Sequence, residues 1–190
     1  MPRVHPQVIL YLRGRRRVEE FCLLNDLLIP SIYRVSDWYF DACAYYRKCQ
    51  IKIHLPKCAY PATEGQVRNW NWPGSVTDRE PYGVLCHELG HHADCMVSDK
   101  VGSYGGDYSV NLMAESGESP ITSYCPNPWE WFAEMFRLFV TNPALLMAIR
   151  PRTYQLLIQK FKAIDNPDWI KELGPNVPDR ILNNLKKKVH

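Results

Sequence analysis

His87, Glu88 and His91 stand in the pattern His87-Glu88-Leu89-Gly90-His91, the residues of this chain best spaced to do chemistry together. On an α-helix four residues advance just over one turn, about 6 Å, so the two imidazoles face the same way. Neutral ring nitrogens at that spacing can take two corners of a zinc tetrahedron, with Glu88 beside the position left for water. Zinc lowers the pKa of such a water from near 16 to about 7, and a carboxylate in reach can take its proton as it attacks a carbonyl carbon. His92 points off this face and is not expected to be a ligand. Asp94, three residues beyond His91, lies nearer to it. Asp94 reads either as acceptor for the second ring N–H of a zinc histidine or as a polar surface residue.

Catalytic zinc usually takes three protein ligands, so a third has to come from elsewhere in the chain. The segment from Pro128 to Phe136 is apolar on nearly every side, yet it carries Glu130 and Glu134 four residues apart on one helical face. Two buried carboxylates call for a cation, because burying even one unpaired charge is costly. Glu130 is the preferred third ligand and Glu134 the alternative. The plainer readings are a capping box formed by Asn127 and Glu130 and an ion pair between Glu134 and an arginine.

Holding these groups requires at least two helices and something to pack them against. Thr77-Asp78-Arg79-Glu80 has capping-box spacing and Pro81 suits a first turn, predicting a helix that carries the histidines to about Val97. Asn127-Pro128 opens a second helix through about Thr141, and another is expected near Thr153 to Ile164. Glycine- and serine-rich stretches at Gly102 to Gly106 and Glu115 to Pro120 read as connections. Upstream, Val18, Phe21, Cys22, Leu24, Leu27 and Leu28 predict a helix from Arg16 to Leu28, stopped by Pro30. The period from Tyr33 to Tyr46 is ambiguous. Gln50 to Leu55 alternates as a strand, and Val67 to Trp72 suggests another, ended by Pro73-Gly74. Beyond Pro167 the chain is broken by Pro175 and Pro178 and is expected to end in a short basic helix, as a wrapping tail. The expected class is α+β in one domain over 1–190: an N-terminal helix and small twisted sheet over 1–75, a helical zinc-binding portion over 76–165 and a tail over 166–190.

Hydrophobic residues at 46% and charged residues at 23% fit an ordinary globular chain, and no segment approaches the roughly 18 apolar residues of a membrane span. The net charge of +3 gathers at Arg13, Arg15, Arg16 and Arg17 and at Lys186 to Lys188, which read as solvated helix ends, with no strong nucleic-acid signal. Seven cysteines without a CxxC pair are expected to be reduced thiols. The start of the sequence lacks a secretory pattern, so a cytoplasmic location is expected, with secretion by another route left open.

Two segments together resemble the gluzincin peptidases, most closely the catalytic domain of anthrax lethal factor and its relatives. Those proteins pair an HExxHxxD helix with a later T-x-Y … E-x-F-A-E-x-F-R-L segment. Here they correspond to His87-Glu88-Leu89-Gly90-His91-His92-Ala93-Asp94, then Thr122-Ser123-Tyr124 and Glu130-Trp131-Phe132-Ala133-Glu134-Met135-Phe136-Arg137-Leu138. The match covers about half the chain. The interval from Tyr124 to Glu130 is one residue shorter than in the family and contains Pro126 and Pro128. The resemblance implies a zincin-like metallopeptidase fold, one zinc held by His87, His91 and Glu130, Glu134 in support, and Tyr124 as donor to the oxyanion. It implies a zinc endopeptidase acting on a protein or peptide substrate through a water activated by Glu88. An edge strand is expected to hold the substrate extended, with Trp70, Trp72, Tyr104 or Tyr108 lining side-chain pockets. The alternatives are a zinc-containing binding or regulatory module without turnover, and a zinc hydrolase of a non-peptide amide.

Overall fold

The computed structural model describes residues 4–37, 40–61, 72–100, 103, 105–125 and 127–173. They form seven α-helices and a three-stranded sheet, a mixed α+β arrangement as expected from the sequence. The helices are α1 Pro6–Leu24, α2 Pro81–Val97, α3 Asp107–Ser116, α4 Pro128–Thr141, α5 Pro143–Ile149, α6 Pro151–Lys160 and α7 Asp168–Leu173. The strands are β1 Ser31–Arg34, β2 Ala44–Arg47 and β3 Gln50–Ile53, in the order β1-β3-β2, with β1 parallel and β2 antiparallel to β3. The expected strand over 67–72 lies outside the described residues except for Trp72, as do Trp70, Tyr104 and the tail over 174–190 with Lys186 to Lys188.

Helix α2 is the hub. Every residue from Pro81 to Cys95 is buried, because α1 and α4 pack on it and the sheet closes a further side through β2 and β3. The approach of α4 depends on Gly90: a Cβ there would come within 2.7 Å of the Ala133 Cα, closer than two carbons can stand without something shifting. This contact lies between His87 and His91 on one helix and between Glu130 and Glu134 on the other, so it brings the two polar faces together. Around it Phe21, Phe132, Phe136, Phe139 and Phe161 form a chain of ring contacts, with Phe21 and Phe136 edge to face at 5.1 Å. Each buried ring is worth about 1.5–3 kcal/mol relative to exposure.

Several expected boundaries move. Pro6 sits in the first turn of α1 and His5 caps it by accepting from the Gln7 N–H, so the helix starts about ten residues before Arg16 and ends at Leu24, ahead of Pro30. A proline near the N-terminus is here a helix start. Thr77 is likewise not the cap of α2: Pro81 begins the helix, Glu80 is its N-cap, and the Glu80 N–H is taken by Asp78 at 3.0 Å. Helix α3 occupies a stretch with little apolar signal, burying only Ser109, Leu112 and Ser116, and ends at Gly117 with φ of 63°. Asn142 closes α4 and caps α5 by accepting from the Leu145 N–H, so the chain turns between helices at Pro143 and again at Pro151. Helix α6 therefore starts at Pro151 and stops at Lys160, and α7 forms where only a tail was expected.

The N-terminal arginines divide between roles. Arg15 and Arg16 pair with Glu19 and Glu20 one turn on, as expected of a solvated helix face. Arg17 is instead buried and donates to the Asp165 carbonyl at 2.7 Å, while the Arg13 guanidinium lies 4.2 Å from the Trp169 ring centroid. Two of the four thus fasten the C-terminal segment onto α1. No helix among the described residues is long and apolar enough to cross a membrane.

Candidate metal centre

His87, His91 and Glu130 each present one ligand atom within 4.8 Å of the others, a group positioned to bind a metal ion. The shared face comes from the one-turn spacing in α2, and the carboxylate comes from the first turn of α4, across the Gly90–Ala133 contact. Glu130 Oε2 lies 3.0 Å from His87 Nε2 and 3.7 Å from His91 Nε2. The capping reading of Asn127 also holds, since its side chain accepts from the Glu130 N–H at 3.0 Å. Backbone capping and a carboxylate turned toward α2 are therefore compatible in the same residue.

Both nitrogens of His87 face carboxylates: Nδ1 donates to Glu134 Oε1 at 2.9 Å, and Nε2 meets Glu130. Burial alone would push this imidazole down, but the hydrogen bonds to Glu130 and Glu134 and their charges take it up to about 10. The pocket is thus built to hold positive charge between the two acids, and a metal ion in place of the Nε2 proton fits it. The Nδ1 bond to Glu134 fixes the ring and leaves Nε2 as the ligand atom. Burial opposes ionisation of Glu130, yet His87 and His91 hold its carboxyl well below the usual range. The donor set of two imidazoles and one carboxylate suits zinc.

Behind the ligands, Arg137 supports Glu134 in a way the sequence suggested only as an unnamed arginine partner. Its Nε and Nη2 donate to the two Glu134 oxygens at 3.2 and 3.1 Å, while Nη1 and Nη2 reach the carbonyls of Ser75 and Val76. Burial opposes the charge on Glu134, but Arg137 and His87 bring its carboxyl down to about 2. Thr122 adds a fourth donor to Glu134, after His87 Nδ1 and two from Arg137, at 3.4 Å and accepts from the Tyr124 N–H at 3.3 Å, so it ties the Tyr124 loop to α4. Arg137, three residues on along α4, could be read from its helical spacing to Glu134, whereas Thr122, 12 residues before Glu134, and the carbonyls 61 and 62 residues from Arg137 could not.

Asp78 stands beside this network. Its burial takes the carboxyl from 3.8 up to about 6, with Arg137 and the Glu80 N–H offsetting part of that cost. A raised carboxyl pKa means that folding favours the protonated form, so its contribution is full below pH 3.8 and lost as pH rises through about 6. Asp78→Asn keeps an acceptor for Glu80 and removes the buried charge. It should stabilise the protein at pH 8 by about 2 kcal/mol, with the gain fading toward pH 4, as read by urea unfolding across that range. An equal gain at both pH values, or a loss at pH 8, would contradict this.

Glu88 is buried in α2 and takes a hydrogen bond from the Tyr46 backbone N–H of β2. The His54 N–H donates to the Cys43 carbonyl, so by alternation Ala44 and Tyr46 turn their backbone groups to the side of β2 away from β3. Burial raises the Glu88 carboxyl above its ordinary value even though His91 and His87 pull it down. Tyr124 is 48% exposed, and its ring centroid lies 5.9 Å from that of His87. Burial of its hydroxyl and the nearby charges of Glu130 and Glu88 take it up to about 12.

Other expected positions fall elsewhere. His92 faces away from the cluster, as expected: Nε2 donates to the Leu28 carbonyl and Nδ1 accepts from the Tyr46 hydroxyl. Asp94 matches neither of its readings. It is fully buried, and its carboxylate accepts from the N–H groups of Gly106 and Ser109 at 2.6 and 2.9 Å, satisfying the N-terminal donors of α3. The Nδ1 of His91 accordingly has no hydrogen-bond partner among the described residues. Tyr108 is half-buried against Phe132 and Phe161, and Trp72 is buried. Comparison with known protein families, with curated proteins and with solved structures finds no match.

Proposed function

We propose that this chain is a zinc-dependent endopeptidase of the gluzincin type, with a zincin-like fold around α2 and α4. The observation that carries the proposal is the convergence of His87, His91 and Glu130 next to Glu88, which the same helix supplies. Zinc, when bound, supplies a Lewis acid that acidifies water and polarises a carbonyl. The protein's own groups do the rest. Glu88 takes the proton of the attacking water and passes it to the departing amine nitrogen. Tyr124, beside His87, donates its hydroxyl to the oxyanion that develops on the carbonyl. An extended peptide pairs with the side of β2 away from β3 through the Ala44 backbone groups, next to the Tyr46 N–H that steadies Glu88. The matching segments around His87 and Glu130 are the further support for this reading, and Thr122 supports the placement of Tyr124 despite its shortened interval to Glu130.

The test is hydrolysis of a diverse peptide mixture by the zinc-loaded protein, with new termini identified by mass spectrometry. Internal cleavages should appear, vanish with a chelator and return with zinc. Peptides bound but never cut, or cleavage indifferent to the chelator, would sink the proposal. On a peptide so identified, Tyr124→Phe should lower kcat by roughly 30- to 1000-fold, about 2–4 kcal/mol, with KM and zinc content unchanged. An unchanged kcat would make Tyr124 a packing residue.

A further inference from the structure

Seven cysteines are free, and two of them, Cys43 and Cys58, are both tied to His54 at the margin of the metal centre. The Cys58 thiol donates to the His54 carbonyl and acts on the neighbouring Cys43 thiol. Their backbones are tied through one residue: the His54 N–H donates to the Cys43 carbonyl at 2.9 Å, and Cys58 Sγ lies 3.8 Å from the His54 carbonyl. The short 3-10 turn Leu55–Lys57 brings this about by returning the chain after β3, with the Cys58 N–H on the Leu55 carbonyl. Exposure separates the two thiols, since Cys58 is 4% accessible and Cys43 is only half-buried. The charges of Glu88 and His87 act on Cys43, which places that thiol near the candidate site. None of the other five has the same setting: Cys22, Cys86 and Cys95 are buried, while Cys49 and Cys125 meet the hydroxyls of Tyr46 and Thr122.

We propose that Cys43 and Cys58 are an oxidisable pair that closes into a disulfide under a hydroperoxide, clasping the β2–β3 hairpin beside the candidate metal centre. The more exposed sulfur reacts first. The Cys43 thiolate attacks a peroxide oxygen, an S–O bond forms as the O–O bond breaks, and the departing oxygen takes a proton to leave as water. Cys43 is then a sulfenic acid. The Cys58 sulfur attacks it, the S–S bond forms as the S–O bond breaks, and the hydroxide leaves with the Cys58 proton as a second water. Two thiols lose two electrons and hydrogen peroxide gains them. Hydrogen bonding from Cys58, its largest influence, lowers the Cys43 thiol below its ordinary value, which favours the attacking thiolate. Bonding requires the two sulfurs, both held at His54, to close to about 2.05 Å. The clasp would sit three residues before Tyr46, whose N–H contacts Glu88.

The test needs no activity and does not rest on the peptidase proposal. The zinc-loaded protein is treated with a few equivalents of hydrogen peroxide, then alkylated and mapped by mass spectrometry. One species lighter by about 2 Da should form, with the Cys43 and Cys58 peptides linked and released again by a thiol reductant. Its Tm should exceed that of the reduced protein by roughly 5 °C, because the link closes a loop in the unfolded chain. Cys58→Ser should abolish the link and let Cys43 continue to sulfinic acid, whereas Cys43→Ser should leave Cys58 reduced. Wild-type protein in which both thiols stay alkylatable, or Cys43 becomes sulfinic acid or links to another cysteine, overturns the proposal. The wild-type map decides this even if a serine variant does not fold.

Discussion

Glu130→Gln should weaken zinc binding by at least three decades, and Glu134→Gln by only 10–100-fold. The difference follows from what each carboxylate faces. Glu130 Oε2 points at the Nε2 atoms of both histidines, so its charge enters the ligand set, and an amide oxygen is a poor substitute there. Glu134 faces Nδ1, the opposite side of the His87 ring, and a glutamine can still accept that hydrogen. Its loss is felt more in stability. Arg137 is fully buried on Glu134, and removing one partner of such a pair costs about 3–5 kcal/mol. Competition with a calibrated chelator puts both variants on one affinity scale, and thermal unfolding of the metal-free proteins separates folding from binding. Should Glu134→Gln strip the metal while Glu130→Gln retains it, the carboxylate roles are reversed.

Glu88→Gln should keep zinc and the fold while hydrolysis falls by about 2–4 decades. Glutamine preserves volume and can still accept from the Tyr46 N–H, so the contact between β2 and α2 survives. What disappears is the group that takes and returns a proton. Activity is measured on a peptide from the library experiment, with metal content determined on the same samples. Turnover within a few-fold of wild type would remove Glu88 from the proton transfer. Loss of zinc in parallel would assign it a part in holding the metal.

How far the sequence could be read depended on the range of the forces involved. The His87–His91 face, the start of α4 at Asn127-Pro128 and the alternation of Ile51 and Ile53 are local patterns, and each stands where local geometry puts it. The convergence of Glu130 on α2 was also foreseeable, because two carboxylates on an apolar helix demand a cation. Asp94 was not legible. One turn from His91 it reads as a histidine partner, but α3 brings unsatisfied N–H groups at Gly106 and Ser109, 12 and 15 residues away, and these claim the carboxylate. Helix α3 itself was missed because only Ser109, Leu112 and Ser116 are buried, too sparse a set to show a period. Prolines mark further boundaries that the apolar periodicity does not show. Pro6, Pro143 and Pro151 each sit in the first turn of a helix and mark its beginning. Arg17 reads as one of a solvated basic run, and only the return of the chain at Asp165 accounts for its burial.

The account stands most directly on the metal itself. Elemental analysis of natively purified protein, alongside His87→Ala and His91→Ala variants checked for folding by circular dichroism, should find about one zinc per wild-type chain and none in either variant. Wild-type protein that carries no metal and takes up none when zinc is added, or folded variants that bind zinc as the wild type does, would contradict it.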